Sequence, residues 1–551
     1  LCATAASTAG LFDPAYYENA TARPFREGTI GEAPVLPGAG LFMPAGTAAS
    51  KDKGLFRRTV PAFDYSTCTG CMECALACPD AAIPNVVHEI PDLILTGIKE
   101  LDITEPQRDA LRAHAYALSE QVREAYRQDK TARPFHEVLA EVGAGIDSDQ
   151  PTLRLNFDRL VAKLATFPVS RTRPFFDAME GSVAGTGAMF SATIDPWKCT
   201  GCLECIEVCG PGALTPLDED ADVLGTLQER FEFMTALPNT PARFLEDSTD
   251  PDGDLKRLML DRSSFYSTTG GHGACRGCGE VTAIRLVMAT GHALADDRRR
   301  AHQRELDELV TRLRDKLDSV DDADRRARIE GVLATLDKRL YLYEGGPTGN
   351  GPAPVVVANA TGCSSVYAST MPYNSYTDPW VNSLFQDSAP LAKGVFEGIA
   401  AALTADVKAL RIARLELDDA YDEAAHEREL RTLSWEHFTP DEMALLPTIM
   451  SIGGDGASYD IGFGAMSRIL ASDTPIRMLV LDSGAYSNTG GQTSTSSFTG
   501  QDSDLARFGG SHSGKHEARK ELALLASFHP HVFACSTSTA FHGHFLQTTL
   551  D

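Results

Sequence analysis

Two cysteine runs constrain this chain more than any other feature. The first is Cys68-Thr-Gly-Cys71-Met-Glu-Cys74-Ala-Leu-Ala-Cys78, followed by Pro79. The second is Cys199-Thr-Gly-Cys202-Leu-Glu-Cys205-Ile-Glu-Val-Cys209, followed by Gly210 and Pro211. Each is C-x2-C-x2-C-x3-C, a spacing that holds a [4Fe–4S] cluster, because soft thiolates suit iron–sulfur and short steps wrap three ligands round one face of a cube. Where two such runs occur together, the fourth cysteine ligates the other run's cluster. That rule assigns Cys68, Cys71, Cys74 and Cys209 to one cluster, and Cys199, Cys202, Cys205 and Cys78 to the other. A pair of zinc sites is the competing reading, and two complete copies of the run weigh against it. Gly210 ahead of the proline alters the second turn without touching a ligand.

Residues 79–198 separate the runs, and within them Leu101–Arg127 and Phe135–Val142 carry helical spacing and many charges. We expect a mainly helical insertion at about 95–180, acting as a solvated cap. A third cysteine set follows in Ala274-Cys275-Arg276-Gly277-Cys278-Gly279-Glu280, with Cys363 at the end of an apolar strand, Val355–Val357. Taken bare, C-x2-C plus one distant cysteine fits zinc, a redox dithiol or a further [4Fe–4S] cluster. Downstream of the two runs, the last is favoured. These three sets take eleven of the thirteen cysteines and leave Cys2 and Cys535 alone. Such spacing reads as metal ligation in a reducing, cytosolic setting rather than as disulfides.

The second anchor lies near the C-terminal end. An apolar strand, Thr448–Ile452, runs into Gly453-Gly454-Asp455-Gly456 and an apolar-faced helix. A second strand, Ile476–Asp482, then opens into Ser483-Gly484-Ala485-Tyr486-Ser487-Asn488-Thr489-Gly490-Gly491. Glycines allow close backbone approach to a diphosphate. The Asp455 carboxylate, the Ser483 hydroxyl and the Ala485 carbonyl are hard oxygens of the kind Mg2+ prefers, placed after strand ends where open α/β sheets bind ligands. Two tight turns of an ordinary α/β domain would explain Gly-Asp-Gly alone.

Elsewhere the residues read as packing. Leu306, Leu309, Leu313, Leu317 and Val320 form one stripe and Ile329, Leu333, Leu336 and Leu340 another, predicting a helical hairpin that turns near Asp321–Asp324. Ala401–Arg431 reads as helix and His531–Ser536, containing Cys535, as a strand. Residues 1–60, rich in Gly, Pro and Ala, read as an extended connection. With 551 residues, two to four domains are expected. The net charge of −26 and the lack of a dominant basic stretch argue against nucleic acid and anionic membranes as partners. No apolar run reaches membrane-spanning length, and Leu1 and Asp551 look like the ends of a piece of a longer polypeptide.

Together these motifs resemble the C-terminal half of the pyruvate:ferredoxin (flavodoxin) oxidoreductases, a family of 2-oxoacid oxidoreductases. The likeness runs from about Pro61 to the chain end outside the two insertions, and includes Asn359-Ala360-Thr361-Gly362-Cys363-Ser364-Ser365 and Asn382-Ser383-Leu384-Phe385-Gln386-Asp387. It implies an α/β chain: a thiamine diphosphate (TPP)-binding, transketolase-like parallel-sheet domain preceded by a two-[4Fe–4S] bacterial ferredoxin-like α+β domain with helical insertions. The implied layout is a connection at 1–60, the ferredoxin-like domain at 61–225, and the TPP domain at 226–551, with its hairpin at about 292–343 and its C-terminal end cut short.

By the same resemblance, Asp455, Ser483 and the Ala485 carbonyl hold Mg2+ on TPP, within the Gly454-Asp455-Gly456 segment. Ser483 stands where the family usually has Thr. Glu280 contacts TPP, and Asn488 contacts the cofactor and faces the substrate. Cys275, Cys278 and Cys363 bind a third, proximal cluster, whose fourth ligand lies beyond Asp551 unless Cys535 replaces it. The strand pattern round Cys535 favours the former. The implied reaction is oxidative decarboxylation of a 2-oxoacid, pyruvate by default, with coenzyme A as co-substrate and ferredoxin or flavodoxin as acceptor. Upstream domains of the same enzyme, which supply the glutamate that activates TPP, and a homodimeric assembly are also implied. Two rivals stand: a non-oxidative TPP-dependent decarboxylase fused to a ferredoxin module, and an electron-carrier subunit without TPP chemistry.

Overall fold

The computed structural model describes residues 17–32, 45–50, 57–131, 133–146, 150–245, 251–268, 273–349, 351–369, 373–383, 387–502 and 514–551. Cys2, Gly270–His272 and Leu384–Gln386 lie outside them. The chain divides into two compact units: Ala48–Thr290 with Thr537–Asp551, and Leu1–Thr47 with Gly291–Ser536. We call them the cysteine unit and the sheet unit. No helix among the described residues is long and apolar enough to cross a membrane.

In the cysteine unit, each cysteine run sits between two short strands. β1 (Thr59–Phe63) precedes the first run and β2 (Asn85–His88) follows it. β3 (Met189–Ala192) precedes the second run and β4 (Leu214–Asp218) follows it. The strands then exchange partners: β1 pairs antiparallel with β4, from Thr59↔Asp218 to Phe63↔Leu214, and β2 with β3, from Asn85↔Ala192 to His88↔Met189. All residues of β2 and β3 are buried, so the exchange forms the inside of the unit.

The insertion between β2 and β3 is helical, as its spacing predicts. Helices Ile90–Lys99, Glu105–Gln128, Phe135–Val142 and Pro151–Ala165 close round Ile94, Ile98, Leu118, Phe157 and Leu160. The longest starts where Thr104 and Gln107 form a capping box and Pro106 presets the first turn. Gly143 abuts Phe157 so closely that an added Cβ would stand 2.0 Å from the ring.

The sheet unit holds four parallel strands in the order β6-β5-β7-β8. These are β5 (Val355–Ala360), β6 (Trp380–Ser383), β7 (Thr448–Gly454) and β8 (Arg477–Leu481). Every residue of β5 is buried, as expected of a parallel strand covered on both faces. Ala392, Phe396 and Ala400 of helix Ser388–Leu417 pack on Val356, Ala358 and Ile449. The hairpin forms as expected: Leu306, Leu309 and Leu313 meet Ile329, Leu333 and Leu336 and, beneath them, Leu410 and Ala413. Asp322 starts its second helix by accepting the Arg325 N–H at 2.7 Å.

Three expectations need correction. Ala401–Arg431 is not one helix: it stops at Leu417, Asp419 is left-handed at φ 56°, and Asp422 caps a second helix, Glu423–Arg431. His531–Ser536 forms no strand, since no described neighbour supplies the hydrogen-bonded ladder a strand needs. The argument that kept Cys535 apart as a strand residue loses its ground, and Cys535 is exposed. Within the N-terminal stretch read as extended, Glu18–Glu27 is helical, with Pro24 in the first turn and a left-handed Gly28 ending it.

Candidate functional site

The two cysteine runs fold alike. Met72 and Leu203, at matching places, both adopt left-handed backbone (φ 63° and 69°) and begin the short helices Glu73–Ala77 and Glu204–Glu207. For non-glycine residues that conformation costs about 1 kcal/mol, so the repeated turn is held by its surroundings. The strand exchange then carries the tail of each run to the head of the other. Cys68, Cys71, Cys74 and Cys209 line one pocket, walled by Phe63, Phe190 and Leu214. Cys78 and Cys199, then Cys74 of the first set and Cys202, are the neighbours whose charges bear on Cys205.

Burial is the main force on these thiols. It pushes Cys68 and Cys199 up to about 11 and Cys78 to about 12, and Cys74 and Cys205 further still. Such groups ionise only against a compensating positive charge, which cluster iron supplies. Hydrogen bonds to sulfur oppose burial: the Ala82 N–H donates to Cys78 Sγ at 3.2 Å, and Gly70, Gly201 and Gly277 act likewise on Cys68, Cys199 and Cys202. Among the described residues no three His, Cys, Asp or Glu side chains close round a single ion. The first set instead surrounds a volume, and a soft donor set spread round a volume fits a cube.

Of the third set, Cys275 is exposed and Cys278 half-buried at the start of helix Gly279–Leu317, with Glu280 in its first turn. They belong to the cysteine unit, while Cys363, opening helix Cys363–Ser369 directly after β5, belongs to the sheet unit.

In the sheet unit, β7 and β8 run side by side with Gly454 opposite Leu481, which brings Asp455 and Ser483 to the same sheet end. Asp455 is buried at 3% exposure and accepts from Ser483 Oγ (2.7 Å), Gly484 N (3.2 Å) and Ser496 Oγ. Burial raises its pKa, and the Asp482 charge adds to the rise. Ser483 Oγ also lies 3.1 Å from the Ala485 carbonyl oxygen and 2.8 Å from Ser487 Oγ. Mg2+ at about 2.05 Å from octahedral oxygens needs edges of about 2.9 Å, so the 2.7 and 3.1 Å separations fit that ion.

The following loop is braced from below. Tyr486 donates to Asp460, Tyr486 N to Gln492 O at 2.9 Å, and Asp482 is held by Tyr459 (2.6 Å) and Arg519 (2.5 Å). Gly456 begins the tight turn Gly456–Asp460, and Asn488 stands exposed on the turn Ser487–Thr489. Ser496 was missed in the sequence. The run Thr493-Ser494-Thr495-Ser496-Ser497 was its only signal, and hydroxyl-rich runs are common in ordinary loops.

The exchanged strands with their crossed thiols define an iron–sulfur protein, and residues 60–83 match the family of 4Fe-4S binding domains. The chain is 26% identical over 408 residues to the pyruvate:ferredoxin oxidoreductase of Moorella thermoacetica, covering 66% of this chain and 28% of that protein. It is 26% identical over 434 residues to the pyruvate-flavodoxin oxidoreductase of Enterobacter agglomerans, covering 67% and 33%. Against the "Probable pyruvate-flavodoxin oxidoreductase" of Escherichia coli (strain K12) it is 32% identical over 260 residues, covering 39% and 21%. The chain is thus similar to part of the pyruvate:ferredoxin and pyruvate-flavodoxin oxidoreductases. It spans between 21% and 33% of the length of these relatives.

Proposed function

We propose that this chain is the electron-transfer and TPP-binding part of a 2-oxoacid oxidoreductase, acting on pyruvate as the first candidate substrate. The observation that carries the TPP half is the triad of Asp455 Oδ2, Ser483 Oγ and Ala485 O at the ends of adjacent parallel strands. There Asp455, Ser483 and Ala485 would hold Mg2+, with Gly454 and Gly456 leaving room for a diphosphate. Bound TPP would supply the carbanion nucleophile and the electron sink for loss of CO2. The braced Tyr486–Gly491 loop presents Asn488 on its exposed side, suited to contact substrate. Glu280, and Cys275, Cys278 and Cys363 as ligands of a third cluster, keep the roles that the resemblance gives them.

The crossed thiol sets give the decarboxylation an outlet for electrons. Per pyruvate, oxidation to acetyl-CoA and CO2 releases two electrons and one proton. We assign the electrons to passage through [4Fe–4S] clusters, one at a time, to ferredoxin or flavodoxin. Upstream domains and a second copy of the enzyme complete this reading.

The test uses the full-length enzyme purified without oxygen. Pyruvate, 2-oxoglutarate, a branched-chain 2-oxoacid and indolepyruvate are supplied singly, with and without coenzyme A, and reduction of a viologen dye is followed. Thioester formation with dye reduction is the expected result. Aldehyde release without dye reduction, from enzyme containing full iron and TPP, would replace the oxidoreductase by the non-oxidative decarboxylase.

A further inference from the structure

The carboxylate of Asp455 is held differently at its two oxygens. Oδ2 accepts from the Ser483 hydroxyl at 2.7 Å and from the Ser483 N–H at 3.3 Å, and that hydroxyl in turn touches the Ala485 carbonyl oxygen. Oδ1 accepts instead from the Gly484 N–H at 3.2 Å and from the Ser496 hydroxyl. Ser496 is fully buried and stands outside the triad of oxygens.

Ser496 is fixed by its own neighbours. Its N–H donates to Ser494 Oγ at 3.1 Å, and the two hydroxyls lie 2.6 Å apart. Because Ser496 Oγ donates to the carboxylate, it accepts from Ser494, and the hydroxyls form one oriented chain that ends on the charge. Beside them Ser497 Oγ donates to the Gly484 carbonyl at 2.6 Å, Gln501 Nε2 to the same oxygen at 2.8 Å, and Lys515 Nζ to the Ser497 carbonyl at 2.8 Å. Ser494, Ser497 and Lys515 are buried as well. The whole shelf therefore fixes which way one carboxylate faces, as groups behind a metal ligand do.

Ions differ in what they ask of a carboxylate. Mg2+ takes an octahedron whose edges of about 2.9 Å exceed the spacing of two oxygens on one carbon, so it uses one of them. Ca2+ is larger, accepts six to eight oxygens at about 2.3–2.6 Å, and takes one carboxylate oxygen or both. With Oδ1 tied to two donors, Asp455 has Oδ2 alone to offer.

We propose that Ser496 determines the ion specificity of this site: by holding Oδ1 of Asp455, it leaves a single oxygen for the ion and selects Mg2+ over Ca2+. The inference rests on the TPP and Mg2+ reading above. Ser496 is a positioning residue, acting through Asp455. Without its hydroxyl, only the Gly484 N–H restrains Oδ1, and the carboxylate is free to turn both oxygens to a larger ion.

The experiment measures TPP retained by the full-length enzyme after gel filtration, over a range of Mg2+ or of Ca2+ concentrations. In Ser496→Ala, the Mg2+ concentration for half retention should rise about tenfold, the size usual when a residue that orients a metal ligand is lost, while the Ca2+ value rises far less or falls. Ser496→Thr keeps a hydroxyl and should keep the parent's ratio of the two values. The ratio decides, because loosened packing weakens both ions alike. An unchanged ratio in S496A, or the same change in S496T, would overturn the proposal. Should S496A retain no TPP with either ion, Ser496→Cys, of similar size but a weaker donor, takes its place. An unchanged ratio there, or no TPP with either ion again, would reduce Ser496 to packing. A parent enzyme that retains no TPP with either ion would overturn the cofactor reading itself.

Discussion

At the scale of single residues, burial decides which groups can carry charge. His88, at 2% exposure in β2, places Nε2 2.7 Å from Ser191 Oγ, and burial pushes its pKa down to about 3, with Arg262 adding to the fall. Above about pH 6.5 the ring is neutral in folded and unfolded chains alike, and it gives no pH dependence. Below that value the unfolded chain binds a proton that the folded chain refuses, so stability falls by about 1.4 kcal/mol per pH unit until about pH 3. Urea unfolding of the parent and of His88→Gln between pH 7 and pH 5 measures this. The parent should lose stability faster by one proton's slope, and parallel curves would refute the assignment. The buried thiols follow the same physics with opposite sign, since burial raises them and only a bound cation makes the thiolates tenable.

At the scale of elements, the strand exchange makes a sharp prediction about which cysteine serves which cluster. On the proposed ligation, Cys209→Ser should remove or convert the cluster of Cys68, Cys71 and Cys74, and Cys78→Ser that of Cys199, Cys202 and Cys205. Iron content and the magnetic signal of each variant check this, and loss from a variant's own run instead of the other would contradict the crossing. In the helical insertion, Gly143→Ala drives a methyl into Phe157 and should destabilise the protein by about 1–3 kcal/mol, read from the unfolding midpoint. The sequence made some elements legible and hid others. The placing of Cys209 beside Cys68, Cys71 and Cys74 could be read from the spacing of the two runs, and the hairpin because its leucines repeat at helical intervals. The break at Asp418–Asp422 was hidden because helix propensity is weak there, and Asp419 and Asp422 act through backbone geometry that residue type leaves open. Ser496 was hidden for another reason: its partner, Asp455, is far away in sequence, and only the fold brings them near.

At the scale of the molecule, two chemistries share one chain: hard oxygens at the sheet end and soft sulfurs between exchanged strands. On the proposed Mg2+ site, Asp455→Asn in the full-length enzyme should leave iron content unchanged while cutting retained TPP and 2-oxoacid-dependent dye reduction by more than about a hundredfold, because one of the three proposed oxygen donors would lose its charge. Iron and TPP assayed on the same gel-filtered sample separate the two, and joint loss would show that the halves depend on each other for folding. The strand exchange described above has a further consequence for the chain's handling. His88 pairs with Met189, and the ring of Phe167, just past the last helix of the insertion, lies 5.7 Å from the His88 ring. Residues 90–165 therefore leave and rejoin the unit at one place, and their helices share one core with Val86 of β2 and Met189 of β3. A cut that released them would bare the inner face of the exchanged strands.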